Sequence, residues 1–224
     1  MSVDEVFSLI QYIVNKEQSS QLTPEEFNET VSMAQRSYIS YLLGSFQRYQ
    51  PGRPMSNVQF GNNQIVRQRL TPVIYGYTLT VDANGYAPYP GDYLQADAMY
   101  PIYGYSQRIR YVPQDKLYSV LSSVIDPIAT NPVYEIQDTG FRFWPNDVGQ
   151  ARLSYVRNPP NIVWGYVYNI YGQPVYSAAD SVQPVWDDLA IMDIISRALA
   201  MIGVNLQAAQ ISQYAQQIKM TEGQ

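Results

Sequence analysis

Two of the side chains that most often carry chemistry are missing from this 224-residue sequence: it has no His and no Cys. That excludes Ser-His-Asp and Cys-His catalysis, thiolate nucleophiles, a disulfide framework and zinc sites built on His or Cys. Carboxylate, lysine or metal–oxygen chemistry is what remains. Asp187 and Asp188 are an adjacent carboxylate pair. Neighbours on a helix point to different faces, and at a helix start their role is to face the dipole. Asp92, Asp97, Asp126, Asp138 and Asp147 sit among turn residues, where Asp is ordinary. No two of them stand out as the unequal acid–base pair that glycoside hydrolysis needs. Residues 15–26 echo a calcium loop, with Asn15, Glu17 and Ser19 at early ligand positions and Glu26 at the last. The sixth position needs Gly for its sharp turn and holds Ser20, so a capped helix–helix turn describes the stretch better. Asn28-Glu29-Thr30 is a glycosylation sequon by pattern alone. There is no phosphate-binding loop and no dinucleotide fingerprint. The expectation is a protein without catalytic residues, cofactor or metal.

Aromatic side chains are the other chemical resource, with 21 Tyr and 3 Trp. They suit stacking platforms for carbohydrate or single-stranded nucleic acid. They equally suit β-strands and subunit interfaces, where Tyr is enriched, and packing and interfaces are the reading preferred.

The elements that must hold these residues are helical at the ends and extended in the middle. Val3, Val6, Phe7, Ile10, Ile13 and Val14 paint one helix face. Thr23-Pro24-Glu25-Glu26 places Thr at an N-cap, Pro at the first helical position and Glu at the third. Phe27, Val31, Ala34, Tyr38, Tyr41 and Leu42 continue at helical spacing to Gly44, the expected stop. Residues 1–44 are thus expected to form a helical hairpin, and residues 45–71 an extended arm or long loop. Residues 72–179 read as an antiparallel β domain with one short helix, and 16 of the 21 Tyr fall between residues 72 and 177. Strands are expected at 73–81, 107–112, 133–136, 141–144, 150–157, 164–168 and 174–176, with a helix from 113 to 124 and turns at Asn84-Gly85, Asp138-Thr139-Gly140 and Tyr171-Gly172. Residues 180–224 return to helix, capped by Asp180 or Ser181 and apolar on more than one face. Gly203 ends the first of two helices, and Ala208, Ile211, Ala215 and Ile218 mark a seam on the second. These C-terminal helices are expected to pack with the N-terminal hairpin, giving an α+β fold.

Charge is sorted by sign. Residues 1–29 hold six acids and one Lys, and residues 30–81 hold five Arg and no acid. The whole chain is acidic at −5, unlike a general nucleic-acid binder. The start, Met1-Ser2-Val3-Asp4-Glu5, is acidic where a secretory leader is basic. The apolar run of residues 6–14 is also far shorter than the roughly 20 residues of a membrane span. The expectation is a chain made and kept in a cytoplasm, with no membrane contact.

The order of several short motifs resembles a known family. Asn15-Lys16-Glu17-Gln18, Leu22-Thr23-Pro24-Glu25-Glu26-Phe27-Asn28, Ala34-Gln35 and Tyr41-Leu42-Leu43-Gly44 are similar to the start of virion neck proteins of crAss-like and related tailed bacteriophages. Asn131-Pro132-Val133-Tyr134, Phe141-Arg142-Phe143-Trp144-Pro145 and Leu153-Ser154-Tyr155-Val156-Arg157-Asn158-Pro159-Pro160 with Trp164 resemble a strand–strand stretch found there. Trp186-Asp187-Asp188, Ala198-Leu199, Ile202-Gly203-Val204-Asn205-Leu206 and Gln213-Tyr214-Ala215 continue the likeness to the end. The Tyr-rich stretch 165–179 does not align. The resemblance implies a head–tail connector subunit, similar in role to the podovirus tail tubular adaptor. Such proteins mix a helical bundle with a small β domain and form a homo-oligomeric ring of about a dozen copies. The ring lies between the portal protein and other neck or tail ring proteins and surrounds passing double-stranded DNA without sequence specificity. The implied location is the virion neck, assembled in the bacterial host cytoplasm. The alternative, carried by the aromatic side chains, is a tail-associated carbohydrate- or receptor-binding module.

A head-to-tail interface that closes on itself makes a ring. Its expected residues are Arg48, Arg53, Arg67 and Arg69 on the arm, with Ile191, Ile195, Ile211, Tyr214 and Ile218 on the C-terminal helices. Reversing two arm charges, Arg48→Glu with Arg53→Glu, is expected to weaken assembly in size-exclusion chromatography more than it lowers the melting temperature of the monomer. Equal loss of both would assign the arm to the fold instead.

Overall fold

The computed structural model describes residues 1–16, 22–44, 64–102, 108–123, 127–128 and 131–203. In chain order the elements are α1 (Val3–Lys16), α2 (Pro24–Leu43), α3 (Gln64–Leu70), β1 (Ile74–Thr80), β2 (Tyr86–Pro88), β3 (Tyr93–Pro101), β4 (Arg110–Tyr111), α4 (Gln114–Leu121), β5 (Val133–Ile136), β6 (Gly140–Trp144), β7 (Gln150–Arg157), β8 (Tyr166–Tyr168), β9 (Pro174–Tyr176) and α5 (Asp188–Ile202). The fold is α+β. Two units share the chain: Val73–Pro159 is inserted into a unit made of Met1–Pro72 and Pro160–Gln224.

In the helical unit, local chemistry sets the helix starts. The Thr23 hydroxyl accepts from the Glu26 N–H, and the Glu26 carboxylate accepts from the Thr23 N–H at 2.9 Å. The same reciprocal bond joins Ser2 and Glu5 at the head of α1, a second capping box that the short Ser-x-x-Glu spacing carries. Asp187 caps α5 by accepting from the Ala190 N–H at 2.8 Å. The expected caps Asp180 and Ser181 instead serve the loop before it, where Asp180 accepts from Ser177 and Ser181 from the Gly165 N–H. Gly203 closes α5 in the left-handed region at φ 82°.

The apolar stripe of α1 buries Val3, Val6, Phe7, Ile10 and Val14, and α2 buries Phe27, Val31, Ala34, Tyr38, Ile39 and Leu42. The main packing partner of α2 is α5, whose inner face buries Ala190, Ile191, Ile194, Ile195, Ala198 and Leu199. The expected hairpin of α1 and α2 is therefore a minor contact, made where Phe7 meets Phe27 edge to face at 5.0 Å. Residues 64–70, expected within the arm, are the short helix α3. Residues 45–63 of the arm, residues 17–21 of the calcium-like stretch 15–26 and the final helix lie outside the described residues; Thr23 and Glu26 of that stretch form the cap of α2.

A polar ladder on α2 seats the returning chain. Asn28 bonds the Trp164 backbone through both amide atoms, at 2.7 and 3.3 Å. Ser32 donates to the Ile162 carbonyl at 3.4 Å and Gln35 to the Pro160 carbonyl at 3.0 Å. These three fall at i, i+4 and i+7, one helix face holding alternate residues of an extended segment, Pro160, Ile162 and Trp164. Gln35 also accepts from the Trp186 indole N–H at 3.2 Å and is buried.

The inserted unit holds two sheets. One is antiparallel, ordered β1-β7-β3; the other is ordered β2-β6-β5-β4, with β4 parallel to β5. The expected antiparallel pairing holds for β1–β7, β2–β6, β3–β7 and β5–β6 and is corrected at β4–β5, which is parallel. The expected domain is corrected again at its end, because residues 160–179 belong to the helical unit. Between the sheets lies a core of Leu79, Met99, Phe141, Phe143 and Leu153, walled by Tyr134 and Tyr155. Tyr89 and Tyr93 stack at 4.5 Å against its rim. Gly140 is required where β6 pairs with β2, since a Cβ there would stand 2.3 Å from the Ala87 carbonyl oxygen.

Two outcomes test this packing. Gln35→Leu keeps volume but leaves the Trp186 N–H and the Pro160 carbonyl unpaired. It is expected to lower the unfolding free energy by about 2 kcal/mol, measured by chemical denaturation. Separately, burial pushes the hydroxyls of Tyr89, Tyr134 and Tyr155 up to about 12, against about 10 in an unfolded chain. Between those values the folded state holds protons that the unfolded state has released, so stability falls as pH rises. The contribution of these tyrosines to the stability of the inserted unit is expected to be fully present below pH 10 and to be lost from there through about pH 12, followed by tyrosinate absorbance and circular dichroism.

Candidate subunit-contact surfaces

The candidate interface residues divide into three groups. Arg48, Arg53, Ile211, Tyr214 and Ile218 lie outside the described residues. Ile191 and Ile195 are buried within the helical unit on the inner face of α5, so the chain's own core occupies them. Arg67 and Arg69 lie on α3, where both are exposed. Arg69 reaches the Asp193 carboxylate of α5 at 3.2 Å within the same chain, an exposed pair that contributes little to stability. It also approaches the Tyr38 hydroxyl without a well-formed hydrogen bond; burial raises the pKa of that hydroxyl more than the cation lowers it. Arg36, from the same Arg-only block, donates to Asn161 at 3.3 Å.

The apolar periodicity of α5 is real on both faces, but the outward face carries different residues from those expected. Leu189 is 74% exposed, and Met192 and Met201 are about half exposed. On α2, Tyr41 is exposed beneath the Arg197 guanidinium, 4.9 Å from its ring centre.

A surface missed by the sequence reading is the β8–β9 hairpin. It grows from an aromatic column. Phe7 stacks on Trp164 at 4.1 Å, Trp164 stacks on Tyr166 at 5.9 Å, and Tyr166 meets Tyr168 edge to face at 5.4 Å. The Trp164 indole donates to Asp4 at 2.9 Å, so its one polar atom is satisfied. The Tyr166 hydroxyl donates to Glu25, which holds the Glu25 carboxyl below its ordinary value and the tyrosine well above its own. At the tip, Asn169 accepts from the N–H groups of Tyr171 and Gln173, both at 2.9 Å, and Gly172 takes φ 72°. That turn presents Ile170 and Tyr171, 90% and 80% exposed. No residue from 166 to 176 is charged. The signal was in the sequence as Trp164 to Tyr176, with its Tyr171-Gly172 turn; what the sequence hid was that the hairpin is anchored to the helices.

Stacking platforms fare differently from residue to residue. Trp164 and Trp186 are buried and pack the helical unit, whereas Tyr168 and Tyr171 stand in solvent. Among the carboxylates, Asp97 accepts from Ser154 at 2.9 Å and Asp92 from Tyr155 at 2.7 Å. Asp138 closes its turn by accepting from the Thr139 N–H at 2.9 Å. Among the described residues no group of three acids gathers as a metal site, and no helix is long and apolar enough to cross a membrane. Neither a protein-family model nor a curated protein matches this sequence.

Proposed function

We propose that this chain is a structural protein of a tailed-bacteriophage particle that assembles with its own copies into a ring at the head–tail junction. In this reading the ring joins the portal protein to the neck or tail proteins below it and surrounds the DNA channel. The observation that carries the proposal is the surface on the helical unit. A hairpin without charge is clamped by Trp164 and Asn28 and presents Ile170 and Tyr171 to solvent, while Leu189 and Met192 stand out from α5. Exposed apolar groups on rigid supports are what a protein–protein contact uses. The motif order described above supports the phage assignment, and the pairing of a helical unit with a small β unit agrees with it. A net charge of −5 suits a wall past which DNA moves, because few phosphate contacts would form to release counterions and hold it.

Electron microscopy of purified particles carrying an antibody label against this chain tests the reading. Label is expected at the junction of head and tail, in rotational symmetry. Label confined to the capsid surface or to fibres would refute it.

A further inference from the structure

We propose that the β8–β9 hairpin of one copy adds through its β8 edge to the free β1 edge of a second copy, making a head-to-tail strand-addition contact. The proposal rests on the homo-oligomer part of the reading above and on nothing about where the oligomer sits.

Backbone alternation identifies the two edges. The Ser177 N–H donates to the Gly165 carbonyl at 2.8 Å and the Asn169 N–H to the Gln173 carbonyl at 2.9 Å. In an antiparallel pair such bonds recur at every second residue. The backbone groups of Tyr166 and Tyr168 therefore face away from β9. On β9 the outward positions are Pro174 and Tyr176. Pro174 has no N–H to offer, so β9 is the blunted edge and β8 the open one. On β1, the Val81 N–H donates to the Gly149 carbonyl at 2.8 Å. By the same alternation Tyr75, Tyr77 and Leu79 bond β7, and Gly76 and Thr78 turn their backbone groups outward. No strand pairs with either edge among the described residues.

Neither edge is defended. Exposed edges are normally guarded against pairing by charged side chains, especially Lys, or by Pro. Residues 166–168 and 74–80 contain none of these. A lone two-stranded hairpin is marginal in water, so its clamping by Trp164 leaves the β8 edge ready to bind without ordering a loop.

Charge complementarity selects the second copy's β1 as the occupant. The hairpin base carries Glu25, bonded to Tyr166, and Asp180, bonded to Ser177. Beside β1 stand two cations. The Arg152 guanidinium lies 3.8 Å from the point where a Gly76 Cβ would be, and that of Arg157 lies 4.0 Å from the Tyr75 ring centre. Pairing β8 with a second β8 would instead bring acid to acid. Donor and acceptor edges differ, so the contact is heterologous and propagates to a ring or a filament.

The absence of Cys makes the test specific. Tyr168→Cys and Thr78→Cys, each at an exposed position, are made in separate copies of different tag length and treated with a short bifunctional thiol cross-linker. The mixture is expected to give a mixed-tag dimer several-fold above what either variant gives alone. Adding Arg152→Glu to the Thr78→Cys copy is expected to reduce that yield several-fold, and so is high salt. A mixture that cross-links no more than the single variants overturns the contact, as does a yield indifferent to Arg152→Glu. Light scattering on the unsubstituted chain separates the two ideas. Oligomers without the mixed dimer remove this contact and leave the ring reading standing; a chain that stays monomeric at every concentration removes this contact and the self-assembling ring together.

Discussion

The helical unit depends on Trp164. Its ring is stacked against Phe7 from α1 and Tyr166 from the hairpin, its backbone is held at both polar atoms by Asn28 from α2, and its indole N–H is taken by Asp4. Two helices, each more than a hundred residues before it in the chain, thus converge on one residue whose polar groups are all paired. Burying a large aromatic supplies apolar area, and pairing its polar atoms removes the penalty that would otherwise offset it. Below it, Ser32 and Gln35 extend the same arrangement along residues 160–162. The hairpin protrudes as a defined object because its root is fixed there.

What was legible in the sequence was what local chemistry determines. The capping box at Thr23, the stop at Gly44, the turn at Asn84-Gly85 and the strand 150–157 are each decided by residues within a few positions, and each forms. What was missed depends on partners far along the chain. β3 went unread because two register shifts, at Tyr93/Gln95 and Ala96/Ala98, break the period of two that reveals a strand. α3 is too short for periodicity to speak, and its Arg and Gln residues read as an arm. Asp180 and Asp187 are equally good caps by type; the winner is set by where residues 177–186 fold back. The boundary at residue 159 was hidden because Tyr-rich chain continues across it. Those tyrosines have two unlike tasks, with Tyr134 and Tyr155 lining a β core and Tyr166 and Tyr168 forming an outward column.

For the candidate surfaces the lesson is similar. Counting apolar positions on α5 identified a helix with two apolar faces, and burial then divided them. Ile191 and Ile195 went inward while Leu189 and Met192 stayed outside. Nothing in the spacing distinguishes a branched Ile from a flexible Met in that choice. The neighbouring α2 decides it by the shape it presents. The Arg-only block divides in the same way, since Arg69 and Arg36 are engaged by Asp193 and Asn161 of their own chain.

Inserting residues 73–159 between the two halves of the helical unit fixes an order of events during synthesis. A nascent chain emerges N-terminus first. Every strand of the inserted unit is present once β7 has left the ribosome, so that unit can close on itself. α1 and α2 emerge before it but must wait, because the extended segment that the polar ladder of α2 receives and the helix that covers α2 are both encoded afterwards. Until α5 appears, the apolar stripe of α2 is a solvent-facing liability. The helices made before the inserted unit are therefore completed only after it, and a chain stopped before Asp188 would carry every strand of that unit but lack the helix that covers α2.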